Sequence, residues 1–284
     1  MTDLRELQHC ELEILKEFIS ICEKLNLKYF LLGGTLLGAV RHQGFIPWDD
    51  DIDVGMLRED YERFVKEAQK YLPEYFFLQT HRTDPEWPAN FAKIRDCRTT
   101  FIESSVKNQK INHGVYIDIF PLDHFTKDQT KRRVFYCRNI LMMMRISEVF
   151  TAPHKKVSQG AKWKKIIKRL LVILSYLRYP TLQSALNARE KLFTTVQPGG
   201  LRANHCGAWG KKEIVPEEWY GEGVKLEFEG LSVSVPMQYD KWLTQVYGDY
   251  MQLPPVEKRI AHHYNEVVDL NKPCAEYRQS EGKK

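Results

Sequence analysis

The sequence predicts an α/β (α+β) fold in which a mixed sheet is flanked by helices and followed by a helical middle segment. Short apolar runs alternate with amphipathic helical patterns up to about residue 125, which is typical of a sheet covered by helices. Residues 127–196 show mostly helical spacing. A hairpin pattern at 224–235 completes the mixture of elements.

The individual elements follow from the spacing of the apolar residues. Helical spacing predicts helices at 4–25, 36–41, 58–71 and 239–247. Apolar runs predict strands at 28–32, 52–56, 75–79, 91–95, 99–102 and 115–120, the last ended by Pro121. The hairpin joins 224–228 to 231–235 through a turn at Glu229-Gly230.

The chain shows neither internal repeats nor low-complexity linkers, so we expect a single domain over 1–284. Within it we expect a core of about 1–125, a helical segment of about 127–196, and a C-terminal segment of about 200–284 that packs back on the core.

The composition is that of an ordinary globular protein, with 43% hydrophobic and 28% charged residues. A net charge of +5 is too mild to indicate a nucleic-acid partner, and we expect none. The first 28 residues are charged and amphipathic, unlike a signal peptide, and no apolar run reaches the length of a membrane span. The six cysteines are scattered without a paired motif. We therefore expect a cytoplasmic protein with reduced thiols.

The acidic run Asp49-Asp50-Asp51-Ile52-Asp53 indicates a metal site. Carboxylates so close together repel one another unless a cation lies between them, and oxygen ligands suit Mg²⁺ or Mn²⁺. In a strand, Asp51 and Asp53 would share one face about 6.6 Å apart, with Ile52 in the core. The same alternation leaves Asp49 as an outer contact and turns Asp50 away from the site.

Two other interpretations of the acidic run are weaker. A merely solvated loop fits poorly, because Ile52 and Val54 are apolar. A calcium-binding EF-hand loop requires Gly at its sixth position and Glu at its twelfth, where this run has Val54 and Asp60.

A glycine turn, Gly33-Gly34-Thr35, lies between a predicted strand and a predicted helix. Glycines allow a phosphate to approach closely, and the free N–H groups at a helix start attract anions. A phosphate-binding turn followed by two alternating carboxylates is typical of a nucleotidyltransferase site. Such a site predicts a third carboxylate on a later strand. Asp118 fits, because it lies in an apolar strand where an unpaired charge would be costly. The alternative for Asp118 is a salt bridge at the strand end.

These segments resemble the LicD family of phosphocholine transferases, to which the fukutin-type transferases are distantly related. The resemblance is carried by LLGGTLLGAVRH at 31–42, GFIPWDDDIDVG at 44–55, KIRD at 93–96 and IDIFPLD at 117–123. YGDYM at 247–251, Pro254-Pro255 and HHY at 262–264 are also family-like. The helical middle segment is the least characteristic part.

The resemblance implies a nucleotidyltransferase-like fold and the transfer of a phospho-alcohol group. In the family this is typically phosphocholine from CDP-choline, transferred to a sugar hydroxyl of a cell-surface glycan or its lipid-linked precursor, as in lipopolysaccharide or teichoic acid biosynthesis. Asp51, Asp53 and Asp118 are then the catalytic and metal-binding residues, with Mg²⁺ or Mn²⁺ as the cofactor, and Asp118 either completes the metal site or accepts the proton of the attacking hydroxyl. The glycine turn is expected to hold phosphate oxygens.

Three alternatives remain open at this point. The donor could be another CDP-alcohol, with ribitol, glycerol or ethanolamine as the alcohol. The protein could also be a non-catalytic binding protein on this fold, although the intact carboxylate set argues against it. A glycosyltransferase with an Asp-x-Asp motif would have a nucleotide-binding half before that motif, and only about 50 residues precede it here.

Further residues are expected to bind substrate, although an ordinary surface or core role is the alternative for each. They comprise basic, aromatic and acidic side chains near the motifs: Arg41, His42, Trp48, Asp49, Lys93, Arg95, His262 and His263. Lys93 and Arg95 alternate on one predicted strand and so share a face. A quaternary ammonium group would need an aromatic box, for which the candidate rings are those of Trp48, Trp87, Tyr116 and Tyr264.

The segment 155–178 is basic and amphipathic, and the chain has no Asp or Glu from 149 to 189. Such a helix either lies on an anionic membrane surface, where a lipid-linked acceptor would be found, or packs in the core with a solvated basic face. RNA binding is a poorer third interpretation, because no RNA-binding module accompanies the segment.

Overall fold

The computed structural model describes residues 4–150, 162–261 and 264–281. Its strands are β1 (Phe30–Leu31), β2 (Asp53–Leu57), β3 (Phe76–Gln79), β4 (Ala92–Asp96), β5 (Thr100–Glu103), β6 (Val115–Phe125), β7 (Leu201–Asn204), β8 (Ile214–Pro216), β9 (Val224–Phe228), β10 (Leu231–Val235) and β11 (Asn265–Asp269). Its α-helices are α1 (Leu4–Leu25), α2 (Gly33–His42), α3 (Arg58–Glu67), α4 (Gln129–Ser147), α5 (Lys162–Arg178), α6 (Leu182–Thr194), α7 (Tyr239–Tyr247) and α8 (Cys274–Glu281).

A seven-stranded mixed sheet forms the centre of the fold. Its strands run in the order β1-β2-β6-β4-β3, and β7 and β8 continue the sheet from the far end of β6. The pair β2 and β6 is parallel, whereas the other pairs are antiparallel. Helices cover this sheet, so the predicted α/β (α+β) class is confirmed.

Helix α1 has the predicted bounds and buries one apolar face. Ile14, Leu15 and Phe18 are fully buried, and the helix packs against β4 and β6. The stripe of apolar residues every three or four positions thus meets the sheet, as in most amphipathic helices of globular proteins.

Strand β6 continues past Pro121, although the sequence predicts that it ends there. On one edge of β6, β4 pairs as far as Ile119 and β7 begins to pair at Leu122. Pro121 therefore lies where β6 changes partners, and there its missing N–H removes no ladder hydrogen bond on that edge.

The predicted hairpin is confirmed residue by residue, with Phe228 opposite Leu231 in the β9–β10 pair. Glu229 and Gly230 both have positive φ, 51° and 77°, as a two-residue type I′ turn requires. The C-terminal segment also supplies β7 and β8 to the central sheet and β11 to a second, two-stranded sheet with β5. Sequence spacing missed β7, β8 and β11, which are short and lack clear alternation.

The helical middle segment comprises α4, α5 and α6, with a core of its own that includes Phe125, Phe135 and Phe193. Asp128 caps α4 by accepting from the N–H groups of Thr130 and Lys131. Within the described parts of the chain, no helix combines the length and the apolar character needed to cross a bilayer.

Candidate active site

The parallel register of β2 and β6 places Asp53 directly beside Asp118. Both carboxylates line a pocket of about 320 Å³, together with Gly33, Asp51 and Lys93. Hydrophobic residues on either side of each Asp, such as Ile52 and Ile119, are fully buried and hold the two strands in this register. The three carboxylates predicted from sequence are thus brought to one pocket.

Residues 49–52 form a loop, because β2 begins only at Asp53. The alternation of a strand does not apply there, and one carboxylate oxygen each from Asp49, Asp50 and Asp51 lies within 4.8 Å of the others. Asp50 therefore lies beside Asp49 and Asp51. Asp51 lines the pocket and Asp50 does not, so the orientation of Asp50 away from the site stays a prediction. Asp49 and Asp50 are both buried, so the cluster is not a solvated loop.

Hydrogen bonds from several elements hold the acidic residues in place. The N–H of Asp53 donates to Thr35 Oγ1 at 2.8 Å, and the N–H of Asp118 donates to the carbonyl of Ile52 at 2.8 Å. Gln8 of α1 donates its side-chain N–H to the carbonyl of Asp49 at 2.9 Å. The Thr35 hydroxyl, predicted to hold phosphate, therefore acts in the structure as an acceptor that positions Asp53.

Helix α2 begins at Gly33, whose φ is +54°, and its N-cap residue Leu32 makes no side-chain capping bond. A Cβ on Gly33 would lie 2.5 Å from Asp53 Oδ2, and one on Gly34 would lie 2.3 Å from Asp49 Oδ2. The two glycines therefore allow carboxylates to approach the positive end of the helix. The same open N-terminus suits a phosphate.

The electrostatics of the cluster favour a bound cation. Burial, followed by the charges of Asp51 and Asp118, raises the pKa of Asp53 well above its usual range. Glu11 of α1 is also buried, and burial followed by the charge of Asp51 raises its pKa strongly. The donor atoms are all carboxylate oxygens, which are the ligands that Mg²⁺ and Mn²⁺ prefer.

Lys93 lies inside the pocket and is only 1% exposed. Its Nζ is 2.9 Å from Asp118 Oδ1 and 3.5 Å from Glu103 Oε1. The same ammonium lies 3.2 Å from the centroid of the Tyr116 ring and 5.1 Å from that of Trp87. Lys93 therefore offsets the acidic charge and sits in an aromatic cage.

Arg95 shares the face of Lys93, as predicted, because both side chains reach Glu103. Its Nε donates to Gln79 at 2.7 Å and one terminal nitrogen donates to the carbonyl of Gly114 at 2.9 Å. The guanidinium is fully buried and does not line the pocket. Arg95 thus holds Glu103 in place by an ion pair, from a position outside the pocket.

The rings predicted for an aromatic box are only partly brought together. Trp87 lines the pocket. The rings of Trp87 and Tyr116 both lie close to the ammonium group of Lys93, which also lines the pocket. Trp48 instead lies under the Arg259 guanidinium at 5.5 Å, and Tyr264 is largely exposed. The pocket has further aromatic lining that sequence reasoning missed, from Phe91, Phe120, Phe150 and Trp209.

Arg41 and His42 occupy the C-terminal end of α2, about 12 Å along the helix from Gly33. Arg41 donates to the carbonyl of Tyr250 at 2.8 Å, and neither side chain lines the pocket. Arg41 and His42 therefore lie far from the glycine turn, because helix α2 leads the chain away from the site between them. His262 and His263 lie outside the described residues.

Glu213 is a pocket residue that sequence reasoning missed. Its Oε1 accepts from the N–H of Trp209 at 2.8 Å, and its Oε2 accepts from the Asn204 side chain at 2.7 Å. Burial raises its pKa to about 7, although these two hydrogen bonds act in the opposite direction. In the sequence Glu213 follows Lys211-Lys212, a pattern typical of a charged surface, so no local feature of the sequence predicts its place in the pocket.

A protein-family model described as the LicD/FKTN/FKRP nucleotidyltransferase domain matches residues 26–166. The chain is 34% identical over 270 residues to the lipopolysaccharide cholinephosphotransferase LicD of Haemophilus influenzae, covering 94% of this chain and 98% of that protein. A shorter match, 44% identical over 55 residues, links it to the ribitol 5-phosphate transferase FKRP of Homo sapiens, covering 18% of this chain and 11% of that protein. An uncharacterized protein of Rickettsia prowazekii is 37% identical over 117 residues, or 41% of each chain.

Proposed function

The chain belongs to the LicD family of transferases, and we propose that it transfers a phospho-alcohol group from a cytidine diphosphate donor to a sugar hydroxyl of a glycan. The observation that carries this proposal is the register pairing of Asp53 with Asp118 in a pocket that also contains Asp51 and the open start of α2. Carboxylates that can hold a cation, close to the N-terminus of a helix, suit a diphosphate.

We propose Mg²⁺, or Mn²⁺, as the cofactor, held by Asp51, Asp53 and Asp118. The all-oxygen donor set and the raised pKa of Asp53 support this assignment. When bound, the cation supplies charge neutralisation for the diphosphate of the donor. Asp49 and Asp50 lie close enough to the cluster to act as outer contacts.

Backbone and side-chain groups of the protein then bind the phosphates and balance the charge of the site. The N–H groups of Gly33, Gly34 and Thr35 at the start of α2 hold phosphate oxygens. The sugar hydroxyl attacks the phosphorus that carries the alcohol, the bond from this phosphorus to the bridging oxygen breaks, and CMP leaves. Lys93 remains close to Asp118 and limits the negative charge of the site.

Two carboxyl groups are candidates for accepting the proton of the attacking hydroxyl. Asp118 forms an ion pair with Lys93, which favours its carboxylate form and suits a metal ligand. Glu213 lines the same pocket, and we propose it as the proton acceptor. Its hydrogen bonds to Asn204 and the Trp209 N–H fix the carboxyl in place.

CDP-choline is the proposed donor because of the aromatic lining of the pocket. Trp87, Phe91 and Phe150 line the pocket, aromatic rings bind quaternary ammonium groups, and Glu103 adds a carboxylate to the same pocket. The relative in Haemophilus influenzae is described as a cholinephosphotransferase. A polyol such as ribitol would instead require a wall of hydrogen-bonding side chains.

We propose that the acceptor belongs to a cell-surface glycan, such as lipopolysaccharide or teichoic acid, or to its lipid-linked precursor. The description of the relative in Haemophilus influenzae supports the lipopolysaccharide assignment. A cytoplasmic enzyme that works on a lipid-linked precursor would act at the inner face of the membrane.

A donor screen tests this proposal. CMP release and thermal stabilisation are measured with CDP-choline, CDP-ethanolamine, CDP-ribitol and CDP-glycerol, with and without Mg²⁺. We expect CDP-choline with Mg²⁺ to give the largest stabilisation and the fastest CMP release. A response to CDP-ribitol or CDP-glycerol alone would change the proposed alcohol, and no response to any of the four would contradict the donor class.

A further inference from the structure

Helix α5 exposes most of its apolar side chains. The exposed fractions lie between 47% and 77% for Trp163, Ile166, Ile167, Leu170, Ile173, Leu174 and Leu177. These positions recur every three or four residues and so form one stripe about 120° wide along the helix. A stripe of this width normally faces the protein core.

The stripe points away from the body of the protein. The opposite side of α5 carries Ser175, which is fully buried, and Leu171 and Val172, which are half-buried. That side packs on α4, and Arg145 of α4 lies 4.3 Å from the Tyr176 ring centroid. The alternative of a core helix with a solvated basic face therefore fails for the described residues of α5.

Cations flank the exposed stripe. Arg169 and Arg178 are exposed at its two borders, and no acidic residue occurs in α4 or α5. An apolar stripe bordered by cations without anions matches a surface that is apolar inside and anionic outside. An anionic lipid bilayer has this profile, whereas a protein partner would need a separate acidic groove.

The helical layer that carries α5 also adjoins the pocket. Phe150 follows the end of α4 and lines the pocket beside Trp87 and Val106. Phe150 thus connects the helical segment that carries α5 to the pocket wall. This arrangement suits an acceptor that is itself attached to a lipid.

We propose that α5 docks the protein on an anionic lipid surface, with its apolar stripe in the boundary between headgroups and acyl chains and its cations at the lipid phosphates. Its 17 residues lie in the plane of the interface. This inference goes beyond the proposed transfer reaction and is tested by lipid binding alone, so failure of one does not imply failure of the other.

Vesicle flotation tests the proposal with the full-length protein. The probes are vesicles of phosphatidylcholine with about 30% phosphatidylglycerol, and vesicles of phosphatidylcholine alone. We expect the wild-type protein to bind the anionic vesicles at least about tenfold more tightly, with a loss of affinity at high salt. Equal binding to both vesicles, or no binding to either, would overturn the proposal.

Matched variants locate the binding surface. Leu170→Glu/Leu174→Glu should abolish flotation, and Arg169→Gln/Arg178→Gln should weaken binding to the anionic vesicles at least about tenfold. The control Leu253→Glu/Val256→Glu changes two exposed apolar residues elsewhere and should bind like the wild type. Circular dichroism and thermal denaturation verify that each variant is folded.

Two outcomes with these variants would overturn the proposal. One is vesicle binding that survives the Leu170/Leu174 change in a folded protein. The other is light scattering that shows a wild-type dimer and a monomer for the same variant, with no lipid binding, because α5 would then bind a second copy of the chain.

Discussion

Asp53 and Asp118 lie side by side as register partners on the parallel strands β2 and β6. Two carboxylates in this relationship repel each other, and the buried strand residues that set the register leave them no freedom to separate. The fold therefore holds in place a cluster of like charges that Lys93 offsets in part and that a bound cation would relieve further. This relationship links the stability of the protein to its metal site.

Removing one carboxylate should separate metal binding from stability. We expect Asp53→Asn to lose Mn²⁺ binding, measured by electron paramagnetic resonance, and to melt at a higher temperature than the wild type in the absence of divalent ions. The rise follows from removal of like-charge repulsion between Asp53 and its neighbours Asp51 and Asp118. Glu227→Gln changes an exposed carboxylate on β9 and should alter neither property. Undiminished Mn²⁺ binding by Asp53→Asn would refute the ligand assignment.

Lys93 should be important for stability as well as for the site. Lys93→Met leaves Asp118 without its buried cation, whereas Glu103 keeps its ion pair with Arg95. Removal of one partner from a buried ion pair costs about 3–5 kcal/mol. Urea denaturation measures the loss. The double variant Lys93→Met/Asp118→Asn should recover part of it, because the stranded charge of Asp118 is removed. Strictly additive losses would show that the pair is not coupled.

Gly33 should be required for the position of Asp53. Gly33→Ala places a Cβ 2.5 Å from Asp53 Oδ2 and strains a residue at φ +54°, so we expect loss of CMP release together with about 1–2 kcal/mol of stability. Gly230→Ala is the matched control, because its φ is +77° and no atom lies within 4 Å of the added Cβ. It should lose similar stability and keep its activity. Equal activity of the two variants would show that the contact with Asp53 is unimportant.

Glu213 should make stability depend on pH. Its pKa is about 7 in the folded protein against an ordinary value of 4.5, so the unfolded chain releases this proton first as pH rises. Stability should therefore fall between about pH 4.5 and pH 7, by on the order of 3 kcal/mol from this group, and then level off. Glu213→Gln has no carboxyl group to titrate at this position, so its stability should not show this part of the decrease with pH.

Urea denaturation of both proteins at pH 5 and pH 8 measures this difference, with Glu227→Gln as the exposed control. The free energy of unfolding of Glu213→Gln, relative to the wild type, should rise with pH. A difference that is the same at both pH values would show that Glu213 does not titrate in this window.

Much of the fold follows from local patterns in the sequence. Helical spacing predicted α1 with its observed bounds, and the Glu229-Gly230 turn predicted the β9–β10 hairpin. These features depend on residues that are close in the chain, so their signals are visible without tertiary structure. Asp118 was identified because a charge in an apolar strand needs a partner.

Other features depend on tertiary contacts and could not be predicted. Residues 49–52 form a loop although their pattern resembles a strand, and Asp50 therefore joins the acidic cluster. Glu213 reaches the pocket only because β7 and β8 extend the sheet from β6. The apolar stripe of α5 is visible in the sequence, but periodicity alone does not show whether such a stripe faces the core or the solvent.

The most direct test of the metal-dependent transfer site is CMP release from CDP-choline by the wild type, Asp53→Asn, Asp118→Asn and Glu227→Gln, at increasing Mg²⁺ concentration. We expect Mg²⁺-dependent release by the wild type and Glu227→Gln. Both Asp variants should be at least about a hundredfold slower at every Mg²⁺ concentration while keeping the circular dichroism spectrum of the wild type. Release by Asp53→Asn or Asp118→Asn at the rate of Glu227→Gln, or release by the wild type that is unaffected by EDTA, would contradict the account.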